Sequence, residues 1–177
     1  MTKTNIIHFQ TYNSKTQLDL QYKSNKLDIM NECVFLGITI DKFCSWKAHI
    51  EKLQNKIDSF VFVLKRLRET VNHATVLAAY HAYVSSILRY GIIIWGNSVE
   101  VNRVFKAQKK CIRAICGANC LDSCVPLFKK LKILSLPCIY ILEISLFVHR
   151  NIHIFKSNVE VEVRSRHGMK LAVPKIN

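Results

Sequence analysis

Between Trp46 and Leu67 the apolar positions fall at 46, 50, 53, 57, 60, 64 and 67, in alternating steps of four and three. Only a helix turns that spacing into one continuous stripe, so the stretch predicts a long amphipathic helix with Ser45 as its N-cap. Upstream the period changes. Ile6-Ile7-His8-Phe9, the alternation of Leu18, Leu20 and Tyr22 with polar neighbours, and the runs 27–30 and 34–40 read as strands, with a polar turn at 23–26. They predict an antiparallel unit of three or four strands, with the change of period near 42–45 as its boundary.

Downstream the helical pattern continues. Asn72 or His73 opens a second helix with Leu77, Tyr80, Val84, Ile87 and Leu88 inward and Gly91 as its stop. Asn97 or Ser98 opens a third that ends at Gly117, 125–132 is a short fourth, and Ser135 and Pro137 start an almost wholly apolar fifth reaching about Ile152. Val159, Val161 and Val163 then alternate with glutamates and run into Arg164, Arg166, His167 and Lys170. The predicted fold is α+β, mainly α. It has a β unit over 1–44, a helical bundle over 45–117, a further helical region over 118–155 and a basic extended tail over 156–177.

Half of the 177 residues are apolar, enough for the core of one domain or of one domain plus an arm. Lysine and arginine number 26 against 12 acids, and the excess is uneven: residues 101–177 carry 14 basic and 4 acidic side chains. That balance makes a polyanion the leading partner class, nucleic acid or an anionic membrane surface, with an acidic protein as the milder alternative. The apolar run 134–148 is interrupted by Glu143 and is shorter than the roughly 18–20 residues of a membrane span, so it reads as a buried helix. The N-terminus lacks a secretory apolar region. Seven cysteines, an odd and scattered set, then point to reduced thiols and to an intracellular protein, nuclear or cytoplasmic and not secreted.

The third helix carries the most specific charge pattern. Arg103, Lys106, Lys110 and Arg113 stand at steps of three, four and three and so share one face, and no acid lies between Val101 and Asn119. Any surface helix puts lysines on its wet side, but an unbroken cationic stripe also matches a row of phosphates. Cys116, Cys120 and Cys124, with Cys111, His149 and His153, invite a zinc reading. Structural zinc prefers closer C-x2-C pairs, and buried thiols fit this spacing better. His49, His73 and His81 read as capping or half-buried residues. None of the five aspartates has an acidic neighbour, and five glycines form no phosphate-cradling loop. No catalytic constellation emerges.

Several ordered blocks resemble the reverse transcriptases of jockey-like non-LTR retrotransposons. They are Val34-Phe35-Leu36-Gly37-Ile38-Thr39-Ile40-Asp41 followed by Trp46-Lys47-x-His49-Ile50, then Tyr90-Gly91 with Trp95-Gly96, then Gln108-Lys109-Lys110-x-Ile112-Arg113. Pro126-Leu127-Phe128-Lys129-Lys130-Leu131, Ile133-Leu134-x-Leu136-Pro137-x-Ile139-Tyr140, and the Arg-rich Val163-Arg164-Ser165-Arg166-His167 with Val173-Pro174 complete the series.

The resemblance covers nearly the whole chain and implies the end of a palm, a thumb and part of the following region. It implies that Phe35, Leu36 and Gly37 form a primer-grip-like hairpin, and that the helices from Trp46, His73 and Ser98 form a thumb holding RNA/DNA template–primer duplex. Arg103, Lys106, Lys110 and Arg113 are then the expected backbone contacts, which position a duplex without reading its sequence. The family's aromatic-Ala-Asp-Asp turn and earlier aspartate lie upstream of these blocks, and Lys3-Thr4 resembles the palm's last residues. The implied protein is therefore a truncated RNA-directed DNA polymerase whose reading frame was broken or cut near Met1. It would be inactive alone and need no cofactor, Mg2+ belonging to the intact enzyme. It could still work with the missing palm domain or an intact polymerase in trans, and no membrane is implied. The rival readings are a partner-dependent helical remnant whose apolar faces are an orphaned interface, and a small zinc module.

Overall fold

The computed structural model describes residues 6–11, 13, 20–22 and 25–155. The strand-like arm and basic residues predicted after 156, and Leu18 of the early alternation, lie outside them. The architecture is α+β and mainly α. Strands β1 (Gln21–Tyr22), β2 (Asn25–Lys26), β3 (Glu32–Phe35) and β4 (Ile38–Asp41) precede helices α1 (Lys47–Thr70), α2 (His73–Tyr80), α3 (Ser86–Arg89) and α4 (Ile92–Trp95). Helices α5 (Val101–Cys116), α6 (Cys124–Leu131) and α7 (Leu136–Arg150) follow, with a π-helical turn at His81–Ser85 joining α2 to α3 and a 3-10 turn at Ile152–Ile154.

Among the described residues the expected sheet of three or four strands is two separate antiparallel hairpins, β1–β2 and β3–β4, and Ile6 contributes one parallel bridge to Ile29. The run 34–40 is not one strand because it reverses at Leu36–Gly37, pairing Phe35 with Ile38 and Glu32 with Asp41. Both turn residues have positive φ, 47° and 79°, as a two-residue hairpin turn matching strand twist requires. Glycine reaches that region freely, whereas a leucine there costs on the order of 1 kcal/mol. The Tyr90 hydroxyl, from the end of α3, donates to the Leu36 carbonyl at 2.5 Å and ties the tip to the helices.

Ser45 does not cap α1 in the way predicted. Trp46 occupies the cap position in left-handed backbone, and the Asp41 carboxylate takes the loop's donors: Phe43 N–H, Ser45 N–H, Ser45 Oγ–H and Trp46 N–H, at 2.9–3.2 Å. Burial works against the charged carboxylate, but these hydrogen bonds outweigh it and hold the Asp41 pKa below its ordinary value.

The predicted inward stripe of α1 points at the core. Ile50, Leu53, Ile57 and Leu64 are buried, and Trp46, Phe60 and Leu67 pack against them. Asn72 caps α2 by accepting Thr75 N–H at 2.9 Å. The helical path from α2 ends at Arg89, and Gly91, in left-handed backbone, opens α4 rather than merely stopping a helix. The third predicted helix begins at Val101, not 97 or 98. Ser98 N–H donates back to the Trp95 carbonyl, which makes 97–100 a turn between α4 and α5. Gly117 ends α5 in left-handed backbone, and Ser135 precedes α7 as predicted. Among the described residues one buried cluster draws on α1 through α7, centred on Trp95, Tyr80 and the α1–α5 contact.

Candidate nucleic-acid interface

The heads of the cationic stripe on α5 are largely engaged within the protein. Arg103 Nε donates to Gln54 Oε1 on α1 at 2.9 Å, and the same guanidinium stands 3.6 Å from Glu100. Lys110 Nζ pairs with Asp58 Oδ1 on α1 at 2.9 Å. Arg113 donates through Nε and a terminal nitrogen to the Asp122 carbonyl at 3.1 and 2.9 Å, bracing the loop after α5. Lys106 alone of the four is exposed with no ion pair among the described residues. Such half-exposed pairs are worth about 0–1 kcal/mol each. Their consequence is electrostatic: Glu100 and Asp58 offset the charge a phosphate row would meet. Next to them Arg68 donates to the Ala114 carbonyl at 3.1 Å, and a groove of about 510 Å3 gathers Lys65, Arg68, Lys110 and Arg113 with Glu69.

The primer-grip-like residues lie elsewhere. Phe35 and Leu36 are 62 and 72% exposed at the hairpin tip, Leu36 being held there in strained backbone. Lys52 Nζ donates to Thr39 Oγ1 of β4 at 3.1 Å, and Lys56 lines a cleft of about 400 Å3 with Leu36, Gly37, Leu53 and Tyr90. Among the described residues neither lysine has a carboxylate partner. Gln54 and Asp58, which meet the α5 stripe, follow Lys52 and Lys56 by two residues, roughly 200° round a helix. The two predicted groups therefore occupy opposite flanks of α1. The stripe and the hairpin tip do not form one surface patch.

His49, at the floor of the hairpin cleft, is 3% exposed. Its Nδ1 accepts Thr39 N–H at 3.3 Å, which assigns the proton of the neutral ring to Nε2, and that nitrogen has no partner among the described residues. Burial, and then the charges of Lys52 and Lys56, push its pKa below the ordinary 6.5. The unfolded chain therefore binds the proton more readily. Stability is full above pH 6.5 and falls as the pH drops below it. Urea unfolding at pH 7.5 and 5.5 is expected to give a lower midpoint at the acid value, and His49→Phe is expected to flatten that difference; an undiminished difference contradicts the assignment.

Gln108 is the functional-looking polar residue that spacing alone does not single out. It is completely buried; Nε2 donates to Tyr80 Oη at 3.0 Å and to the Leu134 carbonyl at 2.9 Å, and Oε1 accepts Leu136 N–H at 2.8 Å. Its role is to join α5, α2 and the start of α7. The signal was available: a glutamine falls on the same arc of α5 as Val104, Cys111, Ile112 and Ile115.

The cysteines do not assemble. Cys111 is buried, with its Sγ 3.9 Å from the Ile57 carbonyl, and burial, with Asp58 nearby, pushes its thiol up to about 12. Cys124 is buried against the Lys109 carbonyl, Cys116 is half-buried and Cys120 is exposed. Among the described residues no three potential ligands come together. No single described helix is long and apolar enough to cross a membrane. Comparison with protein-family models, with curated proteins and with solved structures gives no match.

Proposed function

We propose that this chain is the duplex-gripping, thumb-like part of a jockey-like non-LTR retrotransposon reverse transcriptase, and that its contact with template–primer duplex runs along the hairpin flank of α1. What supports the family reading is the ordered series of blocks in the sequence. What selects the flank is one observation: Lys52 and Lys56 stand beside an exposed, strained hairpin tip and pair with no carboxylate among the described residues, whereas Arg103 and Lys110 on the other flank are offset. Phosphates replace small counterions most profitably at uncompensated cations. In this reading the Leu36–Gly37 turn brings backbone close to a strand end, the two lysines hold adjacent phosphates, and Lys106 is a secondary contact. Polymerisation needs the metal-binding aspartates, and with them Mg2+, of a palm domain or an intact polymerase in trans.

The test is a fluorescence-anisotropy titration of an RNA–DNA duplex with the wild-type chain and with Lys52→Ala/Lys56→Ala. Loss of the two contacts is expected to weaken binding by about tenfold or more at low salt. Unchanged affinity overturns the chosen flank, and absence of duplex binding by the wild type overturns the proposal.

A second reading, a partner-dependent helical remnant, is favoured by α7. Only Leu136 and Ile139 of this apolar helix are buried, while Ile141 and Phe147 are 63 and 45% exposed.

A further inference from the structure

A groove of about 780 Å3 lies between α5, α6 and the segment leading into α7, and shares Arg113 with the groove beside α1. Its floor is made by Phe128, Ile133 and Cys124, all buried, and its rim by Val125 and Leu134, 64 and 42% exposed, with the 93% exposed Leu121 beside them. Lys109 and Arg113 stand on the α5 wall, Lys129 and Lys132 on the α6 wall. Among the described residues Asp122 is the one acid in the lining, and its carboxylate accepts Asn119 N–H at 2.7 Å. Arg113 is bound to the Asp122 main-chain carbonyl and Lys109 lies over the Phe105 ring at 4.2 Å, and neither forms an ion pair among the described residues. Lys132 is held in left-handed backbone at the end of α6, which fixes its wall of the groove.

We propose that this groove docks an acidic amphipathic helix of a partner protein, apolar side chains on the floor and carboxylates on the two cationic walls. Charge complementarity selects that occupant. Cations on both walls match several separated acids, whereas a small amphiphile with a single anionic head would use one wall. Nucleic-acid bases want open aromatic faces to stack on. Here Phe128 is buried and Phe105 is already covered by Lys109, so the floor suits aliphatic side chains. The inference does not rest on the polymerase reading.

The probe is a labelled model helix with leucines at i, i+3, i+4 and i+7 and glutamates on the remaining face, titrated against the full chain beside a peptide of the same composition with the leucines dispersed. The patterned peptide is expected to bind at least about tenfold more tightly. Val125→Asp/Leu134→Asp and, separately, Lys129→Glu/Lys132→Glu are each expected to weaken it by a similar factor, with helicity by circular dichroism unchanged. Equal binding of the two peptides, no binding of the patterned one, or insensitivity to both variant pairs overturns the proposal. So does a single-stranded oligonucleotide that outcompetes the peptide and loses affinity in the same variants, which would make the groove a nucleic-acid surface.

Discussion

Gln108→Leu is expected to lower the unfolding free energy by about 3–4 kcal/mol, read as a shift of the urea midpoint. Leucine preserves the apolar volume but leaves three groups without their partner in a dry interior: Tyr80 Oη, the Leu134 carbonyl and Leu136 N–H. Each stranded buried group costs about 1–3 kcal/mol, and relaxation toward solvent recovers part of the sum. Leu136 N–H belongs to the first turn of α7, and Ser135 offers it no side-chain cap, so the glutamine terminates that helix from another element. Tyr80→Phe removes a single partner and is expected to cost only about 1 kcal/mol. If the two single variants and the double variant prove additive, the three-way junction is not the cooperative unit described here.

Gly96→Ala is expected to cost about 2–3 kcal/mol by the same measurement. The backbone at Gly96 is ordinary right-handed, with φ −69°, so left-handed strain plays no part. The obstacle is space: an added Cβ would lie 2.5 Å from the Ile92 carbonyl oxygen and 2.5 Å from Cδ2 of Tyr140 on α7. One of these is backbone and the other a half-buried ring packed on the core, so neither yields without moving α4 against α7. Tyr140→Ala should restore part of the stability lost in Gly96→Ala. Failure of that rescue would place the strain at Ile92 instead.

Much of this architecture was legible because helical burial repeats locally. The four-three spacing of α1 needed no partner to be recognised; Asn72 marked a boundary through its side-chain oxygen, Gly117 through its left-handed backbone, and Ser135 by its position before Pro137. The hairpin was harder to see: a continuous apolar run hides its turn, and Leu36 is not a residue that turn chemistry favours. Asp41 displaced Ser45 as the organiser of the loop before α1 because its carboxylate reaches four donors across five residues, a geometry no single-position preference encodes. The stripe on α5 shows the deeper limit. Its spacing placed Arg103, Lys106, Lys110 and Arg113 on one arc, yet what three of the heads touch was set by Gln54 and Asp58, some 50 positions away, and by the loop carbonyl of Asp122.

In the proposed function, exposed position and charge left unpaired among the described residues, rather than spacing, select the hairpin flank, and counterion release measures both at once. In titrations of an RNA–DNA duplex over a range of salt, the log–log slope loses roughly one unit for each phosphate contact removed. Lys52→Ala/Lys56→Ala is predicted to flatten it by roughly two units, and Lys106→Ala by one at most. A slope that the hairpin pair leaves untouched and Lys106→Ala flattens would move the duplex to α5 and contradict the assignment.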